Sequence, residues 1–391
     1  MSDIPLDLVE EILSRVPATS LKRFRTTCKL WNALIKEERF TEKHFRKAPK
    51  QSRLLMMKDN KICSMSVNLN VAPPTIELKG ALDLKDSHSN SKQVDIAKVF
   101  HCDGLLLCTT KDSKLVVYNP CSGETRWIQL ETTCVLGFSQ FALGYQNNKH
   151  GRSYKILKIW DDDVHEPRPV YEFTIYEFKS DSWRKLLDVR LRDVDGCECQ
   201  IKRFGNGVSL KGNAYWVAYG VAGTILFSFD FTRERDRRLC PPPSLKEFDW
   251  TALSVIREEK LSLAFGEVNS LKVEIWVTNQ IDTDAAFSWS KSFALDLVDI
   301  PDCGWDGVTF KYLFWIVLVD EEKKVALYVN AWQVKSHNSV YKVYVTGEDD
   351  DYYTETAYLE SSDDCLPFII DYVPSLVQIR QSRRQKEKNE N

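Results

Sequence analysis

The chain has 391 residues, a formal net charge of −3, 43% hydrophobic and 12% aromatic residues. That length exceeds one ordinary core and points to about two domains, with a large repeat fold as the exception. The composition excludes general disorder, and the near balance of charge gives no global pull toward nucleic acid or anionic lipid. The longest apolar run, YLFWIVLV at Tyr312–Val319, is less than half a membrane span. The N-terminus has no basic region followed by an apolar core, and no N-x-S/T acceptor occurs. Eleven cysteines, an odd number with no C-x-x-C pair and only Cys197 and Cys199 close together, predict free thiols in a reducing compartment. The expectation is a soluble protein of the cytoplasm or nucleus, binding neither nucleic acid nor membrane.

In chain order, the first predicted elements are helical. Leu6, Val9, Leu13 and Val16 fall three or four apart, with Leu8 and Ile12 widening the stripe, so Pro5–Arg15 reads as an amphipathic helix with Pro5 in its first turn. Pro17 stops it. Thr19 or Ser20 is placed to cap a second helix ending at Phe24, and Cys28, Trp31, Leu34 and Ile35 give a third helix its apolar face. Three short helices cannot bury all of these faces against one another, which leaves apolar surface for a partner.

The run Ile4-Pro5-x-x-Leu8-Val9-x-x-Ile12-Leu13-x-x-Val16-Pro17, followed by Leu21, Phe24, Arg25, Cys28-Lys29 and Trp31, resembles the F-box motif over its whole length. The resemblance implies docking onto a Skp-type adaptor, linked to a cullin and a RING protein in an SCF ubiquitin ligase. It implies that Ile4, Pro5, Leu8, Val9, Ile12, Leu13 and Leu21 carry most of the adaptor contact. Phe24, Cys28 and Trp31 would set the helices against each other and the adaptor's tail. Ile4 and Val16 stand where that family more commonly has leucine, and Thr27 where valine is more usual. A helical cap on the following domain is the alternative use of the stripe, although the two prolines have no purpose there.

After a basic linker, APKQSR, come strand-like pieces at Leu54–Met57 and Ile62–Val67 and a polar loop, KDSHSNSKQ. Beyond it the sequence repeats. Lys114–Leu130 and Val170–Leu186 each carry an alternating strand, a polar turn and a Trp-led strand; Thr224–Pro243, Val273–Leu295 and Ala326–Val343 repeat the scheme with increasing change. Between them lie further strands at Gly104–Thr110, Ser153–Trp160, Val208–Tyr219 and Leu253–Phe265, with Lys211-Gly212-Asn213 as a hairpin turn. About four strands per fifty residues is the blade period of a kelch-like propeller. The recurrent tryptophans are expected to pack on neighbouring blades, not to bind ligand.

With the F-box, the segments Leu115-Val116-Val117-Tyr118-Asn119-Pro120, Ser180-Asp181-Ser182-Trp183 and Gly212-Asn213-Ala214-Tyr215-Trp216 resemble the plant F-box family that carries an F-box associated interaction domain. The expected fold is therefore mainly β, a three-helix F-box followed by a kelch-like β-propeller of about six blades. The expected divisions are 1–45 for the F-box, 46–95 for a linker and first strands, 96–379 for the propeller and 380–391 for a disordered charged tail. A sixth blade would combine Leu54–Asn70 with the C-terminal YVPSLVQI. In this family the C-terminal domain recruits a protein substrate.

Sites for catalysis are weakly signalled. His101-Cys102-Asp103 places consecutive side chains on alternate faces of a strand, where they cannot converge, and reads as a strand entry. Asp193-x-Asp195-Gly196 lacks the remaining ligands of a calcium loop. Asp161–Asp163 and Glu348–Asp351 read as solvated acidic runs, and the histidines show no zinc spacing. No phosphate-cradling glycine loop occurs, so no cofactor or metal is expected. Arg383, Arg384 and Lys386 in the tail read as a solvated terminus, with a weak nuclear signal as the other use. The expected function is a non-catalytic adaptor subunit. The alternatives are a glycosidase-like propeller enzyme, which needs two carboxylates about five to ten Å apart in a deep cavity, and a glycan-binding module.

Overall fold

Helices occupy the first fifty residues because their apolar residues recur at helical spacing, and strands follow because the period then changes to two. A computed structural model describes residues 4–25, 27–85, 93–130, 139–148, 151–161, 171–187, 201–220, 223–246, 250–267, 270, 272–279, 281, 287–297, 308–334, 339–348, 353–356, 359–361 and 368–379. The helices are α1 (Leu6–Leu13), α2 (Ala18–Phe24), α3 (Lys29–Ile35) and α4 (Glu38–Lys47).

Pro5 and Pro17 occupy the residue before α1 and α2 respectively, where their carbonyls accept from Val9 and Leu21. Thr19 and Ser20 consequently lie inside α2 and do not cap it. Proline's fixed φ already directs the chain into a helix, so a hydroxyl cap is not required. The fourth helix was not among the predicted elements. Phe40 and His44, four residues apart, bury one face of it, and His44 Nε2 lies 2.8 Å from the Val16 carbonyl.

The strands form six antiparallel sheets. From inside outward, the first blade takes Phe368–Tyr372, Arg53–Lys58, Lys61–Asn68 and Thr75–Ala81. The second takes Ile96–Cys102, Leu105–Thr110, Leu115–Tyr118 and Thr125–Ile128, and the third Ser139–Asn148, Gly151–Asp161, Tyr171–Glu177 and Ser182–Lys185. In the fourth, Ile201–Phe204 and Val208–Leu210 both pair with Asn213–Gly220, followed by Gly223–Asp230 and Arg235–Leu239. The fifth runs through Trp250–Ile256, Lys260–Gly266, Lys272–Thr278 and Trp289–Asp296. The sixth contains Val308–Asp320, Val325–Val334 and Ser339–Gly347, with Thr354–Glu355 and Leu359–Ser361 on its outer edge.

Neighbouring blades bury both faces of a sheet, so middle strands are covered on both sides: every residue of Leu105–Thr110 and Leu115–Tyr118 is buried. Outer strands alternate, as in Arg235–Leu239. Separate apolar clusters close the first blade on the second, the fourth on the fifth, the fifth on the sixth and the sixth on the first. A larger one joins the second, third and fourth. The ring is complete.

Two strand expectations require correction. The closing strand is Phe368–Tyr372, paired with Arg53–Met57, whereas YVPSLVQI shares only Tyr372 with it. Pro374 has no N–H for a ladder, and the chain after Tyr372 instead crosses beneath the second blade, where buried Asn119 donates to the Ser375 and Val377 carbonyls at 3.2 and 2.7 Å. The repeat at Ala326–Val343 falls on the second and third strands of its blade, one strand inward of the other four copies. The Lys211-Gly212 turn has positive φ at both residues, 50° and 83°, as a two-residue hairpin requires.

Candidate functional site

The helical unit packs around Leu13, Ala18, Leu21, Leu34, Ile35 and Phe40, and the same cluster takes in Cys121 and Leu376 from the ring. Ion pairs clasp α1 to α4: Lys43 meets Glu10 at 2.9 Å, and Lys47 meets Glu11 at 2.7 Å. Hydrogen bonds from Lys47, Arg15 and Lys43 lower the Glu11 carboxyl to about 2. Further contacts fix the unit to one end of the ring. The Arg152 guanidinium carbon lies 3.4 Å from the centre of the Phe45 ring, Lys50 pairs with Glu258, and Gln378 donates to the Lys36 carbonyl at 2.6 Å.

What the unit leaves uncovered is apolar. Ile4, Leu8 and Ile12 are each more than half exposed, as is Leu30, and Leu6 is half exposed. Leu8 and Ile12 lie one turn apart on α1, and Ile4 continues their spacing just before the helix. Pro5 is also exposed; Val9, Cys28 and Trp31 are half-buried; Leu13 and Leu21 are buried. Phe24 stands at the margin of exposure, edge-on to Trp31 at 5.9 Å. The ten residues implied by the resemblance therefore divide into an outward row and an inward support. Leu6, read as part of the same apolar stripe, faces outward as well. Leu30 was missed because the apolar face read for the third helix ran through Cys28, Trp31, Leu34 and Ile35 and left it out.

A second concave feature lies on the ring axis. This cavity, about 430 Å³, is lined by Asp103, Arg152, Glu258 and Asp371 from the ring and by Phe45 and Lys50 from the helical side. Arg152 Nη1 is 3.1 Å from Asp103 Oδ2, and the Tyr154 hydroxyl donates to the same oxygen at 3.1 Å. Burial nonetheless pushes Asp103 up to about 6, with Arg152 opposing it. Burial lowers His101 to about 4, and its Nε2 accepts from the Gly104 N–H at 3.0 Å. Sequence spacing gave no signal for Arg152 or Asp371, because the groups they join are far apart in the chain.

His101-Cys102-Asp103 ends a strand and enters a turn, correcting the strand-entry reading. His101 and Asp103 both line the cavity while Cys102 points into the apolar core, so no nucleophile group assembles. Asp193–Gly196 and the tail lie outside the described residues, as do Asp162, Asp163 and Asp349–Asp351. Glu348 pairs with Lys324 at 2.6 Å. Among the described residues no cluster of three metal-ligating side chains occurs, and no helix is long and apolar enough to cross a membrane. The tryptophans pack across blades: Trp183 donates to the Gln129 carbonyl at 3.0 Å, and Trp289 to that of Cys240 at 2.9 Å.

Family models match at both ends of this architecture: the F-box domain over residues 1–43 and the F-box associated beta propeller domain over 53–379. The putative F-box only protein 9 of Arabidopsis thaliana is 49% identical over 389 residues, covering 100% of this chain and 98% of that one. A putative F-box/kelch-repeat protein of the same plant is 51% identical over 390 residues, covering 97% and 98%. Among solved structures, the Dos1 propeller aligns over 83% of this chain and 81% of its own at 10% identity and a TM-score of 0.34, a level that says nothing about activity. The helical unit, the six-bladed ring and these matches agree: the chain belongs to the plant F-box proteins with an F-box associated β-propeller domain.

Proposed function

We propose that the chain is a non-catalytic substrate-recognition subunit of an SCF ubiquitin ligase in the cytoplasm or nucleus. The outward row of the helical unit docks a Skp-type adaptor, which brings the cullin and RING subunits, and the ring recruits a protein for ubiquitination. Catalysis then consists of holding the substrate near a charged ubiquitin carrier. The single observation that carries this reading is the exposed row Ile4, Leu8 and Ile12 on a helical unit whose other side is anchored to the ring. Aliphatic side chains left in water on an otherwise well-packed unit favour a partner that covers them. The ring end that meets the helices is occupied by them, so in this reading the substrate uses the opposite end.

A pull-down with purified Skp-type adaptor tests the docking. Leu8→Asp with Ile12→Asp places two charges in the docking face while sparing the core; Leu13, being buried, is unsuitable because a charge there would unfold the unit. The expected outcome is capture by the wild type and loss of at least about 30-fold in the variant, equivalent to roughly 2 kcal/mol, with unchanged circular dichroism. Equal capture of both proteins would overturn the docking assignment.

The cavity keeps a specific alternative in view, because Asp103, Glu258, Glu259 and Asp371 line it. Asp103 is bound by Arg152 and Tyr154, and Glu258 by Lys50, so these two carboxylates already have internal partners. A glycosidase requires one carboxyl to give a proton and a second to attack or to activate water. The pairing favours the non-catalytic reading.

A further inference from the structure

The axial cavity bears on a ligand of its own, independently of adaptor docking. Its described walls come mainly from the inner strands of the first five blades, with Tyr145 and Arg152 contributed by the third, and Phe45 and Lys50 reach it from the helical side. Among the described residues, the titratable groups facing it are Asp103, Glu258, Glu259 and Asp371 against Lys50, Arg152 and Lys211, with His101 held neutral and Tyr145 beside Arg152. Within that set acids outnumber bases by one. Lys211 is moreover turned away, donating to the Ile281 carbonyl at 2.7 Å.

The distribution of partners is uneven. Arg152 serves Asp103, and Lys50 serves Glu258. Asp371 accepts from the Ser52 hydroxyl, and among the described residues no basic side chain forms an ion pair with it. Burial raises its carboxyl to about 6, and Glu258 nearby adds to the rise. The chain has thus answered Asp103 with its own guanidinium group and Glu258 with an ammonium group, and has left Asp371 to a hydroxyl. The cavity is also lined by Val99, Leu253 and Val255, with Asn206, Ser209 and Ser254 supplying neutral polar atoms. A cavity of this size, mostly preformed and with a few convergent polar groups, suits a small organic molecule.

We propose that the cavity binds a small organic cation, a primary amine or guanidine, whose N–H groups pair with the Asp371 carboxylate while its hydrocarbon part lies against Val99, Leu253 and Val255. Charge-assisted bonds of this kind are about twice as strong as neutral ones, and stronger again away from water. Lys50 and Ser52 belong to the segment joining helices to ring, so the bound cation touches that joint.

Isothermal titration of the full chain with agmatine tests the proposal, with myo-inositol as a neutral probe and succinate as an anionic one. Saturable binding of agmatine alone is expected, weakened at least tenfold by Asp371→Asn and unchanged by Asp112→Asn, whose carboxylate pairs with Lys114 far from the cavity. Absence of agmatine binding, equal affinity for myo-inositol, or full affinity in a folded Asp371→Asn variant would overturn it. Hydrogen–deuterium exchange of the wild type gives a readout that needs no variant. Agmatine should protect the peptide carrying Asp371, and unaltered exchange at saturating agmatine contradicts the assignment.

Discussion

Arg126 is almost wholly buried between the second and third blades, yet its Nη2 meets the Asp181 carboxylate at 2.8 Å, the Tyr176 hydroxyl at 3.0 Å and the Phe178 carbonyl at 3.0 Å. Removing one partner from such a pair strands a charge in the interior. Arg126→Met is expected to cost roughly 3–5 kcal/mol and to lower the melting temperature markedly; an unchanged melt would show that Asp181 finds water instead. Asp371 behaves differently. Its pKa, raised from 3.8 to about 6, means that the folded chain holds this proton more tightly than the unfolded one. The associated stability is complete below pH 3.8 and lost as pH rises through about 6. Asp371→Asn escapes that loss, so it should melt above the wild type at pH 7.5, with the difference shrinking toward pH 5; thermal melts at both values check the sign. Glu11, lowered to about 2, runs the other way, contributing above its ordinary range and fading as pH falls.

Among elements, the strands were legible wherever both sequence signals agreed. Lys211-Gly212 marked its hairpin because a turn with two positive φ angles admits few residue types, and the Trp-led outer strands repeated because each must cover a neighbour. Trp183→Ala should therefore cost about 1–3 kcal/mol, below the range for a fully buried ring because the side chain is only partly covered, measured by denaturant melts; a neutral effect would remove its packing role. Helix α4 escaped notice because Phe40 and His44 are its only buried residues, and the other positions of its ten, Phe45 apart, are charged or polar. The closing strand was placed to begin four residues late for a related reason. Phe368–Tyr372 and the following YVPSLVQI are both apolar, and only Pro374 and the distant partner Arg53–Met57 decide between them. The outward row of α1 was half legible: the spacing identified apolar residues, but which side of a short helix is covered depends on α4 and the ring. Asp371 and Arg152 were illegible, since blade geometry alone brings them to one cavity.

For the whole molecule, the ring is held by its two ends. The inner strand of the first blade comes from the C-terminus, and Ile369, Ile370 and Tyr372 complete clusters on both of its faces. In a ring of blades each unit is stable only against its neighbours, so deleting residues 368–379 should convert a protease-resistant propeller into a digestible chain; survival of the resistant fragment would contradict closure by this strand. The helices share a core with that ring through Cys121 and Leu376, which holds the exposed row Ile4, Leu8 and Ile12 at a fixed place relative to the blades. The most direct test of this division of labour is hydrogen–deuterium exchange of the full chain with and without purified Skp-type adaptor. Protection confined to the described part of residues 4–35, strongest along Ile4–Ile12, with the blades unchanged, is the predicted result; protection on the blades alone, or none at saturating adaptor, would contradict it.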